Sequence, residues 1–151
     1  MFALSHCIAV NPEGVEPKLT REQVWRGLEM KAENALPFVK GMTRCEVLER
    51  TGNQLLREVT FAGTSHRERI TFHAPVQVHF ERVGEGGFIE NTLSDSPAGL
   101  MLTFTFVLGF PGTEPGSAAE REKGEGMRQG YVGAVNATLA RVRQMVTDGQ
   151  L

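Results

Sequence analysis

Nowhere does the chain carry an uninterrupted apolar run long enough to cross a bilayer. Its first residues, Met1-Phe2-Ala3-Leu4-Ser5-His6-Cys7-Ile8-Ala9-Val10, lack both a basic leader and a small-residue cleavage site. A cytoplasmic protein without membrane insertion is expected. An excess of positive charge is missing as well: 16 basic residues stand against 18 acidic ones, a net charge of −2. Nucleic-acid binding draws much of its affinity from cations that release counterions, so nucleic acid is not an expected partner. Cysteine is scarce. Cys7 and Cys45 could pair, but in a reducing compartment, and in a chain able to build its own core, buried free thiols are expected instead. The one glycosylation-type triplet, Asn136-Ala137-Thr138, falls in a predicted helix and is set aside.

What the sequence does have is patterning. With 151 residues, 40% of them hydrophobic, the chain can bury a continuous core, and a single domain over 1–151 is expected. Residues 2–10 alternate Phe2, Leu4, His6, Ile8 and Val10 against smaller neighbours, the period of a half-buried strand, until Asn11-Pro12-Glu13-Gly14 stops it. Thr20 followed by Gln23 forms a capping box, and Val24, Trp25 and Leu28 continue at helical spacing, predicting a helix over 20–35 closed by Pro37. From 41 to 110 short alternating runs are broken by turn residues, the mark of antiparallel hairpins. Six strands are predicted there. Cys45 and Val47 share a face of 42–50; Arg57, Val59 and Phe61 share one of 55–62; Glu68, Ile70 and Phe72 one of 66–73; Val76, Val78 and Phe80 one of 76–83. Strand 88–94 is ambiguous, with Ile89, Asn91 and Leu93 competing against Phe88, Glu90 and Thr92. Strand 100–109 is the clearest, with Leu100, Leu102, Phe104, Phe106 and Leu108 alternating against Met101, Thr103, Thr105 and Val107.

After a loop at 110–116, Ser117 and Glu120 suggest a second capping box and a helix to about 147. Its apolar stripe is Met127, Tyr131, Ala134, Val135, Leu139, Val142 and Val146. Gly124, Gly126, Gly130 and Gly133 crowd its first half, which implies either a late or frayed start, or room beside a cavity or against the sheet.

Strand, helix, six strands and a long C-terminal helix define an α+β order in which consecutive strands pair as a meander and the last helix covers the concave face. That order resembles the START/Bet v1-like superfamily, the helix-grip fold. The segments Cys45-Glu46-Val47-Leu48, Arg57-Glu58-Val59-Thr60-Phe61, Phe88-Ile89-Glu90-Asn91-Thr92 and Leu102-Thr103-Phe104-Thr105-Phe106 are similar to its AtaL-like branch. The resemblance implies a curved antiparallel sheet of seven strands wrapped on the C-terminal helix, with a hydrophobic cavity between them. It implies no catalytic set.

A cavity in such a fold is mostly apolar, with a few polar groups that orient the ligand. The expected lining is Val59, Phe61, Ile70, Phe72, Val78, Phe80, Phe104, Phe106, Met127 and Val135. Arg57 and Glu68 fall on inward faces of strands that a Gly63-Thr64 hairpin would make neighbours, and buried they must pair, because either charge alone would be costly. Two readings stand: a pair that binds a ligand carbonyl, carboxylate or hydroxyl, or a structural strut at the rim. Tyr131 offers either a cavity hydroxyl or a core ring, and Trp25 either guards a cavity mouth or packs. His66, His73 and His79 do not share a face or a ligand spacing, so neither a metal nor another cofactor is expected. Nor do Cys7 and Cys45 have a neighbour that would activate a thiol. The expected function is binding of a small hydrophobic molecule, aromatic or polyketide-like, by a monomer or homodimer. Its rivals are a polyketide cyclase, aromatase or hydrolase that uses the same cavity, with Arg57, Glu68 and Tyr131 handling an enolate or a proton, and an interaction domain with a collapsed cavity.

Overall fold

The computed structural model describes residues 1–151. The strands are β1 (Phe2–Ala9), β2 (Met42–Thr51), β3 (Gln54–Phe61), β4 (Thr64–His73), β5 (Gln77–Arg82), β6 (Phe88–Ser94) and β7 (Met101–Leu108), with helices α1 (Arg21–Glu33) and α2 (Ala118–Thr147). All seven strands join one antiparallel sheet in the order β1-β7-β6-β5-β4-β3-β2, a meander whose first strand returns to pair with its last.

Turn chemistry sets the register that matters most. The β3–β4 hairpin reverses at Ala62-Gly63, one residue earlier than the expected Gly63-Thr64, and both residues have positive φ, 50° and 80°. Two consecutive positive φ values give the turn whose twist suits a two-residue hairpin. Phe61 then faces Thr64, and three and four pairs further along Glu58 faces Arg67 and Arg57 faces Glu68. One residue of slip would send Arg57 and Glu68 to opposite faces.

Parity along the strands follows the sequence. Phe2 and Val10, Leu55 and Val59, Ile70, Val78 and Phe80, and Leu102, Phe104, Phe106 and Leu108 are all buried. Pairing of Asn91 with Phe104 and of Leu93 with Leu102 settles the ambiguous strand: Ile89, Asn91 and Leu93 face inward. The edge strand β2 carries two register irregularities, at Met42/Arg44 and Val47/Glu49; Cys45 and Val47 share a face, opposite Val59 and Arg57, with Val47 exposed and Cys45 half-buried. Two expectations need correcting. Val76 lies in the turn before β5 and is 44% exposed. Cys7 is exposed rather than buried, and both thiols are free.

Helix α1 starts at the expected capping box: Gln23 N donates to Thr20 Oγ1 at 3.1 Å and Thr20 N to Gln23 Oε1 at 2.9 Å. Only half of the second box forms. Glu120 N donates to Ser117 Oγ at 3.1 Å, while the Glu120 carboxylate accepts from Gly116 N instead of Ser117 N. The helices cross where Gly27 sits. A Cβ there would lie 2.5 Å from Val142 Cγ2, so the close approach depends on a missing side chain.

Helix α2 is continuous, and its two halves differ. Val135, Thr138, Leu139, Val142 and Met145 are buried in its second half, whereas in the first half only Glu120 and Gly124 are. Gly124 is pressed onto the Phe2 ring, 2.2 Å from where its Cβ would stand, while Gly126, Gly130 and Gly133 face open space. One glycine of the four therefore serves a close contact with the sheet.

Candidate functional site

Successive cross-strand rows on the inward face build the site. One row runs Leu55, Ile70, Phe80, Ile89, Phe106; on one side of it lies Arg57, Glu68, Arg82, and on the other Phe72, Val78, Asn91, Phe104. Over these rows hangs Lys31, from α1. Val24, Leu28, Lys31 and Ala32 fall at i, i+4, i+7 and i+8, so the helix that buries its apolar stripe carries the lysine inside with it.

Arg57 ties the helix to the sheet. Its Nη1 donates to the carbonyls of Lys31 at 3.0 Å and Ala32 at 2.9 Å, its Nε donates to Glu68 Oε1 at 2.9 Å, and its Nη2 makes an ion-pair contact with the same oxygen at 2.8 Å. The side chains of Arg57 and Glu68 are each 4% exposed. The guanidinium meets both a carboxylate and the carbonyl end of α1, where a helix favours positive charge. Burial alone would raise the Glu68 carboxyl pKa, but Arg57 first and Arg82 next hold it below the ordinary carboxylate value. Arg82 Nε makes an ion-pair contact with Glu68 Oε2 at 3.5 Å and no hydrogen bond.

Lys31 Nζ donates to Asn91 Oδ1 at 3.1 Å and lies 5.0 Å from the ring centroids of both Phe80 and Phe104. Burial pushes its pKa down from 10.5 to about 7; the nearby Arg57 charge adds to the drop, and Glu68 opposes it. Near neutral pH an amine and an ammonium therefore coexist at this position. Of the four buried side-chain nitrogens without a hydrogen-bond partner, two lie here, Arg82 Nε and Asn91 Nδ2; the others are Arg141 Nε and Arg143 Nε, on α2. Three side chains able to carry positive charge thus surround a single carboxylate, with two buried N–H groups left without a hydrogen-bond partner. Such a cluster suits an oxygen that accepts: a carbonyl, carboxylate or enolate.

Toward the first half of α2 the inward face opens. Tyr131 stacks on Phe106 with centroids 4.4 Å apart, and half-burial raises its phenol pKa while Arg82 counteracts, so the hydroxyl stays protonated at neutral pH. Phe61, the last residue of β3, and Met127, in the sparsely buried first half of α2, were both expected as lining and are each 37% exposed. Phe72 is half-buried against the edge of Trp25, ring centroids 6.4 Å apart. Val59, Ile70, Val78, Phe80, Phe104, Phe106 and Val135 are buried. Two recesses lie elsewhere: one of about 440 Å³ between β1 and α2, bounded by Ile8, Val15, Leu139 and Arg143, and one of about 330 Å³ beside Met1, Phe110 and Glu120. No residue of the expected lining borders either. His66 pairs with Glu85 and His79 with Glu90.

Sequence reasoning brought Arg57 and Glu68 together and missed Lys31 and Arg82. Lys31 was visible as the one charged residue within the Val24, Leu28, Ala32, Ala35 stripe, and Arg82 as the next inward position after Val78 and Phe80.

A seven-stranded antiparallel sheet curved around a long terminal helix is the helix-grip architecture. An aromatase/cyclase from Streptomyces sp. R1128, Zhui, has it too: TM-score 0.63 and 18% identity, with 96% of this chain and 95% of that one covered. So does Ara h 8.0201, with TM-score 0.55, 12% identity and coverage of 93% and 97%. Residues 4–149 match the family described as acetylaranotin biosynthesis cluster protein L, AtaL, and the chain belongs to that family. A member from Aspergillus terreus, bearing the same description, is 26% identical over 153 aligned residues, spanning 99% of this chain and 93% of that protein.

Proposed function

We propose that the protein binds a small, largely apolar molecule, aromatic or polyketide-like, on the inward face of the sheet. The ligand's accepting oxygen would lie among Arg82, Asn91 and the Arg57–Glu68 pair. The observation that carries this reading is the pair of buried donors without partners, Arg82 Nε and Asn91 Nδ2, beside an aromatic surface of Phe80, Phe104 and Phe106. Buried donors left unmet cost about 1–3 kcal/mol each, which a ligand oxygen would return. Of the expected lining, Tyr131, Met127 and Phe61 then form the entrance, and Val59, Ile70, Phe72, Val78 and Val135 the walls. The proposed setting is the cytoplasm, with the chain acting as one domain, monomeric or homodimeric.

The test is displacement of a fluorescent apolar probe by hydroxylated aromatic ketones. Binding that weakens about tenfold or more in Arg82→Met, at unchanged fold, supports the reading; failure of every apolar probe to bind overturns it. A second reading, a cyclase- or aromatase-like enzyme, is favoured by the aromatase/cyclase among the structural relatives and by an amine poised near neutrality in the same place.

A further inference from the structure

Lys31 sits unlike the other lysines of the chain. Lys18, Lys40 and Lys123 are exposed or half-exposed, whereas Lys31 is 7% exposed, held between two aromatic rings and bonded to one end of a carboxamide whose other end, Nδ2, donates to nothing. Oδ1 and Nδ2 belong to one planar group, so the unpartnered N–H lies within a few ångströms of the amine nitrogen. A nucleophilic nitrogen beside an unmet donor is the arrangement that attack on a carbonyl requires, because the oxygen gains negative charge as the C–N bond forms. The aromatic walls would take the rest of a flat, conjugated carbonyl compound.

We infer that Lys31 is a nucleophilic amine that condenses with the carbonyl of a ligand, an aldehyde or a 1,3-dicarbonyl compound, to give an imine or its enaminone tautomer. The inference rests on the proposed binding of a ligand at this site and adds the ligand's reacting group. The neutral amine lends its lone pair to the carbonyl carbon, and the π pair moves to oxygen, held by Asn91 Nδ2. The nitrogen gives up its protons as the oxygen takes them, and water leaves as the C=N bond closes. Nothing is oxidised or reduced, and hydrolysis reverses every step. The pKa of about 7 keeps a useful share of Lys31 unprotonated near neutral pH, where lysines at the ordinary value of 10.5 are almost wholly ammonium.

The half-buried rim offers the approach. Ile89 and Phe106 face each other one row nearer the open end than Asn91 and Phe104, and Tyr131, Ile89 and Arg82 at that end are only partly covered.

The experiment uses the full chain with benzaldehyde and cyanoborohydride near neutral pH, which converts an imine into a stable benzylamine, followed by peptide mass mapping. Benzylation of Lys31 faster than that of Lys18, Lys40 and Lys123 by about tenfold or more is the expected result. Asn91→Ala should slow labelling of Lys31 by about tenfold and leave that of the three exposed lysines unchanged. Lys31 labelled no faster than the exposed lysines, in a protein that still binds the probe, overturns the inference and leaves the binding reading standing. Absence of both the adduct and probe binding overturns both.

Discussion

One inward face behaves as two surfaces. Where α1 and the second half of α2 lie over it, Leu93, Leu102 and Phe104 are at most 1% exposed, and even Lys31 and Asn91 are shut in. Beyond Phe80 and Ile89, toward the β3–β4 hairpin and the first half of α2, the same alternation continues, but Phe61 and Met127 stand 37% exposed and Arg82 keeps 21% of its side chain in contact with solvent. The strands do not change character between the halves; only the cover does. Polar groups cluster along the seam between dry and wet, where a ligand could enter from one side and be gripped on the other.

Titrating the dry half gives the largest expected effect. The folded Lys31 pKa lies below its unfolded value, so the unfolded chain binds more protons between about pH 7 and 10.5, and stability from this group rises with pH across that window. Lys31→Met should flatten the rise, by an amount on the order of 5 kcal/mol between the two ends, read from urea unfolding of both proteins at several pH values. Parallel profiles would mean that the amine is wetter than its burial implies. Next comes Arg57→Met, which leaves Glu68 buried without its hydrogen-bonded partner, near only Arg82 and Lys31, and removes the donors that meet the last carbonyls of α1. A loss of about 3–5 kcal/mol is expected, most of it recovered in the Arg57→Met, Glu68→Met double variant. At the helix crossing, Gly27→Ala drives a methyl into Val142 and should cost about 1–3 kcal/mol, visible as a lower thermal midpoint. In the wet half, Met127→Ser should alter stability by less than about 0.5 kcal/mol while weakening probe binding. A large stability loss there would show that the first half of α2 is packed in solution.

The strand parities were legible because each inward set is one-sided in chemistry, as in Leu102, Phe104, Phe106 and Leu108. β6 was not, since an inward asparagine and an outward phenylalanine make its faces nearly equal in hydrophobicity. Only the register with β7 decides it. Arg57 and Glu68 could be matched from sequence because a short hairpin links their strands, even with its turn misplaced by one residue. Lys31 escaped because its partners come from β3, β5, β6 and β7, none of them neighbours in sequence. The stripe on α2 was read as uniformly inward, yet amphipathicity records which side of a helix is apolar and not whether anything lies under it. Met127 has the spacing of a core residue and no sheet to meet.

β1 occupies an edge and pairs only with β7, Phe2 opposite Leu108 and Ala9 opposite Met101. A ribosome therefore delivers β1 with nothing to hold it until nearly the whole sheet has been made, a wait on the order of 10 s at ordinary elongation rates. Closing so long a loop adds little to the equilibrium cost but much to the delay. During that interval β2 to β6 can already form a meander, with one flank waiting for β7 and then for a strand made long before. The contact of Gly124 with Phe2, and the cover that α2 lays over the sheet, can form only after that strand has been seated.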